Sequence, residues 1–272
     1  MIRPGALWEQ RRHRLAVQKV QQRCQKQEDA LLKPRTPSAL EQKLAPAAQK
    51  LQDAAPQKVR QGLEAAFEKS FLALLARPEL VGRGLRPAAS GDESASLRQQ
   101  RSAFYQARRR SGAGALGYTL FSGGEAAALG VLGIGLPDIP ILLGTLLRSL
   151  YGVCAQYGHD WQSPQEQAFL LAVLAAAAAP SEEARPLLER CRLLGQAIDA
   201  GQDWSAILNV EQAAGEASRQ LCRTVVAAKL VQGVPLAGVC GGWYNGKLLS
   251  RATKLASCQY QRRWAGRFSS AR

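Results

Sequence analysis

Residues 130–166 read GVLGIGLPDIPILLGTLLRSLYGVCAQYGHDWQSPQE. A glycine-rich apolar segment breaks at Pro137-Asp138-Ile139-Pro140, and apolar residues at helical spacing follow it. This apolar run stops at Tyr157-Gly158, where the glycine provides a helix C-cap. Ser163-Pro164 then starts another helix, because serine is a favoured N-cap and proline is tolerated in the first helical turn. The stretch predicts two consecutive helices joined by a short turn.

Helical patterns also fill most of the remaining chain. Asn209 with Gln212 has the pattern of a capping box, and so does Ser38 with Glu41. Apolar residues at helical spacing predict further helices at about 8–31, 38–51, 56–74, 96–108, 181–195, 209–230 and 236–263. No strand-length alternation competes with these patterns. We therefore predict an all-α fold, a bundle of about eight helices with a glycine-rich central segment.

The charge of the chain is strongly positive and unevenly spread. The 272 residues carry a formal net charge of +15. Residues 1–110 hold 22 Lys and Arg against 10 Asp and Glu, residues 111–220 hold 5 against 11, and residues 221–272 hold 9 against none. An acidic, apolar middle is thus flanked by two basic ends. Such an excess suggests a polyanionic partner, either nucleic acid or the anionic cytoplasmic face of a membrane, and a solvated basic surface is the alternative.

The composition also bears on the compartment. The first residues contain no apolar h-region, so we expect no secretory signal. The six cysteines form no Cys-x-x-Cys pair, which favours buried free thiols in a reducing cytosol. No uninterrupted apolar run reaches the ~20 residues of a spanning helix, so we expect no conventional transmembrane span. The predicted location is the cytoplasm, peripheral to the inner membrane.

Few residues point to catalysis or to metal binding. Asp138 lies between two prolines and could act as a perturbed acid or base, but we favour a helix N-cap. His159-Asp160 is predicted to lie in an exposed turn between helices. With two histidines in the chain, we expect neither a zinc site nor a Ser/His/Asp set. Gly130, Gly133 and Gly135 lack the Lys-Ser/Thr of a phosphate loop, so we expect no nucleotide or other cofactor.

The last predicted helix carries the clearest binding pattern. Lys247, Arg251 and Lys254 follow i, i+4, i+7 spacing and form one basic stripe, with Arg262 and Arg263 beyond it. Tyr260 and Trp264 supply amphipathic aromatic neighbours. Basic residues beside tyrosine and tryptophan suit an anionic membrane surface.

The motifs quoted above resemble the EcsC family of bacterial proteins, named after a gene found beside an ABC transporter. The resemblance covers about Trp8 to Trp264. Its most specific residues are Gly135, Leu136, Pro137, Asp138, Pro140, Arg148, Tyr157, Gly158, Asp160, Gly233 and Pro235. It implies a helical bacterial protein linked to transport, secretion or envelope processes, and it identifies no catalytic residues.

These patterns lead to an expected organisation and function. We expect a basic N-terminal helix at 1–32, an EcsC-like helical domain at 33–265 with a basic flexible connection at about 77–110, and a basic tail at 266–272. The expected function is non-enzymatic: an accessory or regulatory protein at the cytoplasmic membrane face, with the membrane or a membrane protein as partner. The alternatives are an enzyme with a cryptic acidic site around Asp138 and a soluble nucleic-acid-binding protein. No small-molecule substrate is identified.

Overall fold

A computed structural model describes residues 4–33, 57–88, 97–114, 138–231 and 242–267. Nine helices and no strands occur within these ranges, which confirms the all-α prediction there. The helices are α1 (Pro4–Leu32), α2 (Gln57–Leu75), α3 (Pro78–Val81), α4 (Leu97–Gly114), α5 (Asp138–Gln156), α6 (Pro164–Ala178), α7 (Ser181–Asp199), α8 (Val210–Val231) and α9 (Gly242–Arg267). The predicted helix at 38–51, most of the glycine-rich segment, and Gly233 and Pro235 lie outside the described residues.

Helix α6 forms the centre of the bundle. Every residue from Ala168 to Ala178 is buried, because α7, α8 and α9 pack against it and α5 contacts it as well. A helix that is apolar on all sides is stable in water only when other elements enclose it. The alanines of α6 keep it thin, so its neighbours can approach closely. Helix α2 completes this main core by packing against α5 and α8.

A second, smaller core joins α1, α4 and α9. It contains Val17 and Val20 of α1, Phe104 of α4, and Cys258 and Ala265 of α9. The ring of Phe104 stacks on that of Trp264, with 4.1 Å between the ring centroids. Helix α1 also contacts α7, so it belongs to the same packed body as the helices that follow it.

Two predicted caps are confirmed, one at the start of α8 and one at the end of α5. Asn209 Oδ1 accepts a hydrogen bond from Gln212 N at 2.8 Å, and Gln212 Oε1 accepts one from Asn209 N at 3.2 Å. This is the reciprocal capping box predicted for α8. Ser163 occupies the N-cap position of α6, but its hydroxyl donates to the Asp160 carbonyl instead of capping the helix. Gly158 has the positive φ of +80° that the predicted C-cap after α5 requires.

The segment after α2 differs from the expected flexible connection. Pro78–Val81 forms α3, and Arg148 of α5 donates hydrogen bonds to the carbonyls of Val81 and Arg83. The Trp161 ring lies against Gly82 so closely that a Cβ there would overlap it. The short helix expected at about 96–108 is an 18-residue helix, α4. The expectation was wrong for the described residues 77–88, because Arg148 and Trp161 fix them to the core from positions far away in sequence.

By length and apolar composition alone, Ile139–Gln156 of α5 could cross a membrane. In this fold 78% of that window is buried inside the protein, as in the core helix of a helical bundle.

Candidate functional site

Helices α6 and α9 meet at a buried ion pair. The guanidinium of Arg263 in α9 faces the carboxylate of Glu166 in the first turn of α6. Nη2 lies 2.7 Å from Oε1, and Nη1 lies 2.8 Å from Oε2. The two side chains are only 5% and 4% exposed. This two-point geometry is the arrangement that best compensates the loss of hydration of two buried charges.

Other polar groups complete the shell around this pair. The Tyr260 hydroxyl donates to Glu166 Oε2 at 2.7 Å, and Arg263 Nη2 also donates to Asp199 Oδ1 at 2.9 Å. His159 Nδ1 lies 3.2 Å from Glu166 Oε1. Both oxygens of Glu166 are therefore occupied, and the cluster joins α6, α7, α9 and the turn after α5.

The electrostatics of the cluster fix Glu166 as a carboxylate. Burial by itself would raise the pKa of Glu166, but the positive charge of Arg263 and the hydrogen bond from His159 hold that pKa well below its ordinary value. Burial raises the pKa of the Tyr260 hydroxyl well above its usual range. Tyr260 is therefore a fixed donor and Glu166 a fixed acceptor, an arrangement that suits a structural anchor better than an acid or base.

The structure corrects the prediction for His159. Asp160 is exposed, as expected, and its carboxylate accepts a hydrogen bond from Gln162 N. The His159 side chain is only 16% exposed, because it lies between Glu166 and the arginines of α9. The two arginines that shield it lie 104 and 108 residues away along the chain, so local sequence gave no sign of them.

A second buried carboxylate, Glu28 of α1, holds Arg262. The Glu28 side chain is 1% exposed and accepts two hydrogen bonds from Arg262, each at 2.7 Å. Arg192 of α7 and Gln259 of α9 also donate to it. Arg262 and Arg263 therefore do not lie on an exposed basic stripe, and their binding of an anionic surface stays a prediction. Both guanidinium groups are used inside the protein, because buried glutamates of other helices face them.

The remaining basic stripe of α9 is reduced to two exposed lysines. Lys247 and Lys254 are exposed, whereas Arg251 is half-buried and donates to the Ala179 carbonyl at 3.4 Å. Binding of an anionic surface by these lysines stays a prediction.

A more extensive basic face lies on α1, and sequence reasoning missed it. We call it the α1 outer face; it consists of Trp8, Arg11, Arg12, Leu15, Lys19, Arg23 and Lys26, all exposed. Trp8 is 56% and Leu15 48% exposed, and the Arg12 guanidinium lies 4.5 Å from the centre of the Trp8 ring. The spacing of these residues places them on one side of a helix. That signal was present in the sequence, but the high charge of residues 8–31 obscured it.

The other residues of the family signature that the structure describes lie in packing contacts or at a helix start. Tyr157 stacks on Tyr260 and its hydroxyl lies 3.0 Å from Ser257 Oγ. Arg148 fixes the segment after α3, as described above, and Pro140 is buried in the first turn of α5. Asp138 is the first residue of α5, which agrees with a position at the helix start, but its side chain lies outside the described residues. Gly135, Leu136 and Pro137 lie outside them too.

The cysteines and acidic residues form no metal centre in the described part of the chain. No group of three His, Cys, Asp or Glu side chains there is arranged to hold a metal ion. Cys24, Cys154, Cys191, Cys222 and Cys258 are buried thiols that form no disulfide, as predicted, while Cys240 lies outside the described residues.

Comparison with known proteins places the chain in a family. No curated protein and no solved structure matches it. The model of the EcsC protein family matches residues 18–265, which include α2 to α8 in full, α1 from residue 18 onward and α9 up to residue 265. The chain therefore belongs to the EcsC protein family.

Proposed function

We propose that this protein is a non-enzymatic accessory or regulatory protein that binds the anionic cytoplasmic face of a membrane. A link to transport or secretion rests on the family resemblance alone. The observation that carries the proposal is the α1 outer face, where exposed cations surround an exposed tryptophan and an exposed leucine.

The chemistry of that face suits a lipid interface. Near an anionic leaflet each Lys or Arg contributes about 1 kcal/mol of attraction. Tryptophan and leucine in the same stripe can enter the boundary between headgroups and acyl chains, which adds apolar burial to the electrostatic term. In water these side chains gain neither contribution.

The polar cluster at Glu166 does not favour an enzyme. Its acidic groups are paired with Arg263 and its tyrosine hydroxyl is committed to Glu166, so these groups are satisfied without a substrate. The alternative acidic site around Asp138 stays untested. We therefore assign the cluster to holding α6, α7, α9 and the turn after α5 together.

Nucleic acid is the second candidate, because the cations of the α1 outer face would also attract phosphates. The exposed Trp8 and Leu15 favour the membrane, since the leucine has no natural partner on a phosphate backbone. A mobility-shift assay with duplex and single-stranded DNA separates the two functions.

The test uses charge-removal variants and sedimentation with vesicles of phosphatidylglycerol and phosphatidylcholine. The triple variant Lys19→Gln, Arg23→Gln, Lys26→Gln should bind up to about a hundredfold more weakly, because three contributions of about 1 kcal/mol are lost. The matched control Lys69→Gln, Arg185→Gln, Arg219→Gln removes three exposed charges from α2, α7 and α8 and should bind like wild type. Equal binding by both triple variants would contradict the proposal for α1, and Lys247→Gln, Lys254→Gln would then test α9.

A further inference from the structure

Helix α4 carries a second outer stripe that, like the α1 outer face, combines arginines with an exposed aromatic residue. Arg98, Ser102, Tyr105 and Arg109 are exposed and follow one another at intervals of four, three and four residues, which places them on one side of the helix. Tyr105 is 45% exposed, whereas its neighbour Phe104 is buried and stacked on Trp264. The small core thus uses one aromatic residue of α4 and leaves the next one in solvent.

The two stripes are held side by side by an ion pair. Arg101 of α4 donates to the Glu9 carboxylate of α1 at 2.6 Å and to the Glu9 carbonyl at 3.4 Å. The pKa of Glu9 lies below its ordinary value because of this hydrogen bond and the nearby charges of Arg101, Arg12 and Arg98. Arg12 belongs to the α1 outer face and Arg98 to the α4 stripe, so both stripes approach the same carboxylate.

The distribution of exposed aromatic residues singles out this surface. Among the side chains that the structure describes, Trp8 and Tyr105 are the two large aromatics in the exposed class. One lies on α1 and the other on α4, and each has an arginine four residues further along its own helix, Arg12 and Arg109. Tryptophan and tyrosine are the residues that concentrate at the level of lipid headgroups.

We propose that α1 and α4 together form one docking surface for an anionic bilayer, with Trp8, Leu15 and Tyr105 entering the interface between arginines and lysines that meet lipid phosphates. The proposal rests on the membrane function proposed above and specifies its surface and its mode of contact. Arg101 acts as a positioning residue, since it ties the second stripe to the first without facing the lipid itself.

Tryptophan fluorescence with brominated phosphatidylglycerol vesicles tests the contact residue by residue, because bromine quenches a tryptophan that enters the bilayer. Wild type should be quenched, and Trp8→Phe should lose most of that quenching. Adding Tyr105→Trp to Trp8→Phe should restore it. Adding Leu193→Trp to Trp8→Phe should not, because Leu193 is exposed on α7 and belongs to neither stripe.

Sedimentation of the same variants separates the two proposals. If none of the proteins sediments with phosphatidylglycerol vesicles, the membrane function itself fails. If all of them sediment, two outcomes would leave the membrane function standing and contradict the docking surface. One is that Trp8→Phe is quenched like wild type. The other is that Leu193→Trp is quenched and Tyr105→Trp is not. A second variant, Trp8→Ser, Leu15→Ser, Tyr105→Ser, should bind at least about tenfold more weakly while its circular dichroism stays helical.

Discussion

At the scale of single residues, buried arginine–glutamate pairs explain why a very basic chain has fewer free cations than its composition implies. Arg262 and Arg263 close the two cores by pairing with Glu28 and Glu166, which come from helices distant in sequence. Removing one partner of such a pair leaves an unpaired charge in a site that excludes water. The resulting loss of stability far exceeds the loss caused by removing one partner of an exposed pair of the same chemistry.

Arg263→Met should therefore destabilise the protein by about 3–5 kcal/mol, because the carboxylate of Glu166 stays buried without its cation. The matched control is Arg223→Met, which removes the exposed arginine of the pair with Glu183 and should cost less than about 1 kcal/mol. Urea denaturation at neutral pH measures both. Equal losses in the two variants would contradict the assignment of Arg263 to a buried anchor.

The same pair predicts a pH dependence with a defined sign. In the folded protein the pKa of Glu166 lies well below its ordinary value of 4.5. The stability that ionised Glu166 contributes is therefore fully present above pH 4.5 and is lost as the pH falls below 4.5. Glu166→Gln should destabilise strongly at pH 7, and the difference from wild type should narrow at pH 3. If the difference in unfolding free energy between Glu166→Gln and wild type is the same at both pH values, ionisation of Glu166 does not contribute to stability.

At the scale of helices and their connections, local patterns predicted starts and ends well and tertiary contacts poorly. The capping box of α8 and the glycine at the end of α5 depend on residues at most three positions apart, so the sequence showed them directly. Ser163 lies at its predicted N-cap position, but its hydroxyl donates to the Asp160 carbonyl and does not cap the helix. The role of Glu166 could not be predicted, because its partner Arg263 is supplied by another helix 97 residues later.

The connection after α2 was also mispredicted because its contacts come from distant residues, and these contacts lead to a prediction. Gly82→Ala should destabilise by about 1–3 kcal/mol, because the added methyl group would overlap the Trp161 ring. The matched control Gly62→Ala lies in α2 with open space around its Cβ and should stabilise by up to about 1 kcal/mol through helix propensity. Thermal unfolding compares them. Unchanged stability of Gly82→Ala would mean that Trp161 does not hold this segment to the core.

At the scale of the whole molecule, the fold separates two uses of positive charge. Arg262 and Arg263 of α9 face inward and tie the helices together, whereas the lysines and arginines of the α1 outer face and of the α4 stripe face outward beside exposed aromatic residues. Net charge predicted a polyanionic partner and helical spacing placed its binding on α9, whereas the surface that we propose lies on α1 and α4. Arg262 and Arg263 looked suitable in sequence because their burial depends on Glu28 and Glu166, which only the tertiary fold brings near.

Co-sedimentation of the wild-type protein with vesicles of increasing phosphatidylglycerol content tests the membrane function most directly. The bound fraction should rise with anionic lipid and fall as salt is raised, because screening shortens the reach of exposed charges from about 10 Å at 0.1 M to about 3 Å at 1 M. Vesicles of phosphatidylcholine alone should bind little protein. Failure to bind phosphatidylglycerol vesicles at low salt, or equal binding to both vesicle types at every salt concentration, would contradict an anionic membrane surface as the partner.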